Sequence, residues 1–177
     1  MFVELSRYVD DHLGKGVWTE LLRDTGLGTR TYEPQTPAPD EDMAWLVAYA
    51  SGKIGRPLQA VLEDFGEFIA PDLLGGLYGL LIKPEWDVLD FLENTESAIH
   101  TVVRARDATA SPPRLHVERQ DPDSVTIIYE SHRRMCSLAK GIVRGAAAHY
   151  GQPVELTELS CMLASDRRCE LMVHRVA

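Results

Sequence analysis

Residues 111–133 read SPPRLHVERQDPDSVTIIYESHR, and the fold turns on this stretch. Leu115 and Val117 alternate with polar neighbours, Asp121-Pro122-Asp123-Ser124 makes a turn, and Val125 to Tyr129 is β-branched and aromatic. That is the pattern of a β-hairpin. Upstream, the apolar residues keep helical spacing. Phe2, Leu5, Val9, Leu13, Val17 and Leu21 predict one amphipathic helix, with Gly26 and Gly28 as its stop signals. Residues 29–42 hold Pro34, Pro37 and Pro39 and read as a loop, in which Asp40 caps a helix from about Glu41 to Ser51. Pro57 opens a helix carrying Leu58, Val61, Leu62 and Phe65, and Pro71 and Pro84 are expected to bracket a short one. From Glu85, the series Leu89, Leu92, Glu96, Ile99/His100, Val103 predicts a long helix ending before Asp107.

Downstream of the hairpin, Met135 to Tyr150 is helical, with Leu138, Ile142, Val143 and Ala146 on one face and Gly151 as terminator. Val154 to Met162 and Cys169 to Val173 flank the turn Ala164-Ser165-Asp166 as a second hairpin. Helices followed by β-β-α-β-β predict an α+β protein, with an N-terminal helical lobe and a C-terminal lobe of helices on a four-stranded antiparallel sheet. The chain is expected to be a single domain over 1–177, divided into a helical lobe at 1–60 and an α+β lobe at 61–177.

Composition narrows the function classes. The chain has 177 residues, 45% hydrophobic content and a net charge of −9. That supports a real core and excludes a disordered chain. Neither nucleic acid nor an anionic membrane surface is an expected partner, because phosphate neutralisation needs a basic face. Leu73 to Ile82, the longest apolar stretch, contains Gly75, Gly76 and Gly79 and is too short to cross a bilayer. Glu4, Asp10 and Asp11 stand where a signal peptide would be basic and then apolar, so a cytoplasmic location is expected. No Ser/His/Asp set, Gly-rich phosphate loop or HExxH occurs, and Cys136 has no adjacent His; the chain is read as not an enzyme.

Two constellations carry chemistry. In the first, Tyr129, Ser131 and Arg133 alternate at a strand end and can aim two hydroxyls and a guanidinium at one carboxylate-bearing ligand. His100, on a helix beside apolar residues, is a candidate metal ligand. A cofactor with one metal and two carboxylates would suit them together. An apolar slot for it could draw on Leu5, Val9, Leu74, Leu77, Tyr78, Leu138 and Ile142, each of which has core packing as its plain reading. In the second, Cys136, Cys161 and Cys169 converge at one end of the C-terminal lobe, with Glu158 as a fourth candidate for zinc. Three buried free thiols are the other reading. The acidic run Asp40-Glu41-Asp42 reads as a capping segment, and His116 and His132 as solvated.

On His100 within Glu93–His100, Pro113 within Pro112–Leu115, and Tyr129-x-Ser131-x-Arg133, the chain resembles the heme-nitric oxide/oxygen binding (H-NOX) family, which includes the heme domain of soluble guanylate cyclases. The resemblance covers most of the chain, most closely Phe65 to Cys169. It implies a ferrous heme b with His100 on the iron, propionates gripped by Tyr129, Ser131 and Arg133, and a ring bent against Pro113. In oxygen-binding relatives, a Tyr on the helix after Y-x-S-x-R donates to the bound gas. Leu138 stands at that position here, which implies NO and CO as ligands in preference to oxygen, provided neither Tyr8 nor Tyr78 reaches that face. The resemblance also implies a separate signalling effector, a histidine kinase or diguanylate cyclase, since no effector region follows Ala177. Some relatives carry zinc on Cys, His, Cys and Cys, and Glu158 stands where their His would be. A heme-free, zinc-containing small-ligand-binding or scaffold module of related fold is the alternative reading.

Overall fold

The computed structural model describes residues 1–28, 30, 32, 39–107 and 110–176, with the side chains of 40 and 77 left out. The expected loop therefore lies mostly outside the described residues. The first predicted helix is two helices, α1 (Phe2–Leu13) and α2 (Val17–Asp24). Between them Gly14 and Gly16 take φ of 105° and 91°, a backbone open to glycine and costly for other residues, so the helix stops there. The apolar spacing survives the break because α2 folds back and buries Leu21 on the same core as Leu5 and Val9.

α3 (Asp40–Ile54) and α4 (Leu58–Asp72) follow. Pro39 and Pro57, not Asp40 or a Pro within the helix, are the residues flanking their starts. Pro71 does not interrupt: α4 runs through it and passes into a widened π-type turn at Leu73–Leu77, then a short 3-10 turn at Gly79–Leu81. The long helix begins later than Glu85, at Val88. Asp87 and Asp90 form a capping box there, each backbone N–H bonded to the other's carboxylate at 3.3 and 2.9 Å. It comprises α5 (Val88–Asn94), a π-type turn at Thr95–His100, and α6 (Thr101–Arg106).

The hairpin read from the sequence is β1 (Arg114–Asp121) with β2 (Ser124–Glu130), and α7 (Cys136–Tyr150) is followed by β3 (Val154–Ser160) and β4 (Cys169–Arg175). The strands form one antiparallel sheet in the order β1-β2-β4-β3. Alternation sorts them: Val125, Ile127, Tyr129, Cys169, Leu171 and Val173 are buried, while Met172 on the other face is exposed.

Two large apolar clusters result. One joins α1, α2, α3 and α4 and takes in Leu138 of α7; the other joins α5, α7 and the inner sheet face with Ala70, Leu74 and Ile99. α4 contributes to both. It packs so closely on α7 that a Cβ at Gly66 would collide with the Leu138 carbonyl, and one at Gly141 with the Glu63 carbonyl.

Candidate functional site

The π-type turn that presents His100 follows from its sequence. Thr95 donates its hydroxyl to the Phe91 carbonyl at 2.7 Å, and Thr101 to the Glu96 carbonyl at 3.0 Å. Hydroxyls that compete for helical carbonyls loosen the ladder, and such bulges recur at functional sites. His100 keeps 15% of its side chain exposed. Its Nδ1 lies 3.0 Å from Glu96 Oε2. The same oxygen accepts the Leu115 N–H at 3.1 Å, and the other carboxylate oxygen pairs with Arg104. With Nδ1–H donating to the carboxylate, Nε2 keeps its lone pair.

Burial holds the His100 ring below its ordinary pKa, although Glu96 pulls the other way. Burial pushes Glu96 up, but the Leu115 N–H, His100 and Arg104 outweigh it and the carboxyl ends below its ordinary value. A neutral imidazole beside an ionised carboxylate is the form that ligates metal. Pro113, whose carbonyl also influences the ring, is half-buried next to it.

Leu115 links this ring to the clamp, because it is the cross-strand partner of Tyr129. Tyr129 is buried, Ser131 half-buried and Arg133 exposed, so the three run from interior to surface. The Tyr129 hydroxyl is within hydrogen-bond reach of the Ser131 side chain and the Met135 backbone, and the Arg133 N–H donates to Ser131 Oγ at 3.2 Å. The expected apolar lining divides between the two clusters: Leu5, Val9, Leu138 and Ile142 belong to or pack on the first, Leu74 and Tyr78 the second. The residues present suit a heme in kind: a half-buried imidazole for iron, apolar side chains in two clusters for the ring, and two hydroxyls with a guanidinium for the carboxylates. The Leu77 side chain lies outside the described residues. Tyr8 sits in the first cluster with Leu138, its ring against Phe65, Phe68 and His12 at centroid distances of 5.4, 5.5 and 4.2 Å.

A model of the haem-NO-binding family matches residues 1–158. The chain belongs to the haem-NO-binding family. Its fold is that of solved H-NOX structures. The S. oneidensis protein in its Fe(II)NO state is 23% identical with a TM-score of 0.92, over 99% of this chain and 97% of that one. The unliganded Fe(II) protein of K. algicida is 20% identical with a TM-score of 0.83, over 99% and 95%. A mutant of the T. tengcongensis H-NOX protein is 18% identical with a TM-score of 0.84, over 97% and 93%. No curated protein matches significantly in sequence. No helix among the described residues is long and apolar enough to cross a membrane.

In this family member the three thiols converge as their spacing suggested. Cys136, Cys161 and Cys169 are buried with their sulfurs all within 4.8 Å of one another, two of the separations being 3.7 and 3.9 Å. Zn–S bonds of ~2.3 Å at tetrahedral angles put sulfurs about 3.8 Å apart. The Met162 N–H donates to Cys169 Sγ at 3.3 Å, and Asp166 accepts the Cys161 N–H at 2.8 Å, which shapes the loop around them. Glu158 is not brought into this group; its carboxylate pairs with Lys140 of α7.

Two residues escaped the sequence reading. Glu96 was visible only as a helical position, although its spacing of four from His100 was available as a signal. Asp42 is not part of a capping segment: it is buried and accepts from Arg30 and, at 2.7 Å, from the Tyr32 hydroxyl. His116, expected to be solvated, is exposed but pairs with Glu118 at 2.8 Å.

Proposed function

We propose that this chain is a heme-based gas sensor of the cytoplasm that binds NO and CO and signals to a separate effector, a histidine kinase or diguanylate cyclase. Heme b, when bound, supplies a ferrous iron with one coordination position for the gas. His100 offers Nε2 to that iron while Glu96 holds Nδ1. Tyr129, Ser131 and Arg133 would hold the carboxylates of the heme, and Pro113 would lie against it beside His100. Leu138, buried in the first cluster, would offer apolar surface and no hydrogen-bond donor to a bound gas. Solved relatives from Shewanella oneidensis in Fe(II)NO and Fe(II)CO states support the ligand class. The observation that carries the reading is a half-buried imidazole with Nδ1 on a carboxylate, joined through Leu115 to the strand of Tyr129.

Purified protein is expected to show a strong Soret band that His100→Ala abolishes and free imidazole restores. Protein that stays colourless after reconstitution with heme would overturn the reading. We further propose that Cys136, Cys161 and Cys169 hold a structural zinc; with Glu158 on Lys140, a fourth ligand must come from water, a small molecule, or a Glu158 released from that pair. Elemental analysis should then find about one zinc per chain, lost in Cys161→Ser with the Soret band retained. Zinc without iron, together with a His100→Ala variant indistinguishable from the parent, would favour a heme-free scaffold instead.

A further inference from the structure

The carboxylate of Glu96 is anchored from three sides. One oxygen takes both His100 Nδ1 at 3.0 Å and the Leu115 N–H at 3.1 Å; the other takes Arg104. Its own backbone carbonyl accepts the Thr101 hydroxyl across the π-type turn. A side chain so tied has one place to be, and together with the Pro113 carbonyl, which also bonds the ring, it sets the rotation of the imidazole. We propose that Glu96 is a positioning residue for the iron ligand: it fixes the His100 ring so that Nε2 faces the heme and, by accepting Nδ1–H as an anion, makes that nitrogen a stronger donor. The inference rests on the reading of His100 as the heme ligand.

The physical basis is the outer-shell effect. A carboxylate on the far nitrogen of a ligating imidazole sets its tautomer and leaves more electron density on the nitrogen that binds metal. Arg104 works against this by drawing on the same charge, so the donor strength of His100 is a balance between two residues. Because Leu115 faces Tyr129 across the hairpin, the carboxylate also ties the ring to β1, the strand paired with the one that carries Tyr129. Glu93, on the same helix, is engaged elsewhere, with Arg119 Nε at 3.0 Å, and serves as a control.

The test is resonance Raman spectroscopy of the ferrous, ligand-free protein, read at the iron–histidine stretching band, with heme transfer to an acceptor protein as a second readout. Glu96→Gln should lower the band and speed heme loss by about 10-fold or more. Arg104→Gln, which leaves the carboxylate in place but free of the guanidinium, should raise the band. Glu93→Gln should leave it unmoved. Opposite shifts in the first two variants support the proposal, and a purely structural role for Glu96 would not produce them. A band unmoved in Glu96→Gln and Arg104→Gln overturns it while leaving the heme reading intact. Wild-type protein that takes up no heme overturns both. Should Glu96→Gln fail to fold, the upward shift in Arg104→Gln decides the matter alone.

Discussion

Position 138 is where a single side chain sets gas preference in the proposed reading. Leu138 is buried at the start of α7 among Leu5, Val9 and Phe65, and an aliphatic group there cannot donate a hydrogen bond. Leu138→Tyr should raise oxygen affinity by ~10–100-fold, since a bond to a charged acceptor is worth about 1.5–3 kcal/mol. Oxygen titration followed in the visible spectrum would show it, and Tyr8→Phe, whose ring shares the cluster of Leu138, tests whether the Tyr8 hydroxyl already serves as a donor. His100, Tyr129, Ser131 and Arg133 could be singled out in the sequence because their residue types are chemically specific. Glu96 and Asp42 could not: a carboxylate is ordinary on a helix, and what makes these two special is Leu115, Arg104, Arg30 and Tyr32, partners brought in by folding.

Among the elements, the pair α4 and α7 joins the two apolar clusters, since each contributes side chains to both. Their backbones touch at Gly66 and Gly141, where no Cβ fits, so overpacking here must push the helices apart. Gly141→Ala is expected to cost about 2 kcal/mol, lowering the melting temperature by ~4–8 °C in a chain of this length. Calorimetry of the variant would measure it, and an unchanged Tm would mean that the contact is looser than the backbone indicates. The helix boundaries show a similar dependence on packing. Periodicity predicted α1 and α2 as one helix, since apolar spacing is blind to a turn that restores the same face to the same core. Pro71 reads as a break in the sequence, yet α4 passes through it into a π-type turn, because it costs the helix one N–H and the packing of Ile69 and Ala70 holds the turn in place.

Over the whole molecule, a buried phenol at Tyr129 and a half-buried one at Tyr32 make stability sensitive to alkali. Burial holds Tyr129 at about 12, and burial followed by Asp42 does the same for Tyr32, against an ordinary 10. Between pH 10 and about 12 the unfolded chain has released protons that the native chain retains, so stability falls as pH rises through that window. Denaturant titrations should show a steeper alkaline decline for the parent than for Tyr129→Phe. Parallel curves would mean that Tyr129 titrates normally in the native protein. Burial also pushes the Cys136 thiol up, with Cys169 and Cys161 adding to it. Burial raises Cys169 as well, so metal uptake on these two thiols must release protons.

Short-range chemistry was enough to place the hairpins, the length and end of α7, and the residue types of the clamp and thiol sets, because alternation, turn residues and a terminal glycine act within a few positions along the chain. The strand order β1-β2-β4-β3, the sharing of α4 between two cores, the pairing of Glu158 with Lys140 and the three-sided capture of Glu96 were settled only in three dimensions. Each depends on groups far apart in sequence, whose encounter is set by the burial of apolar faces rather than by local preference.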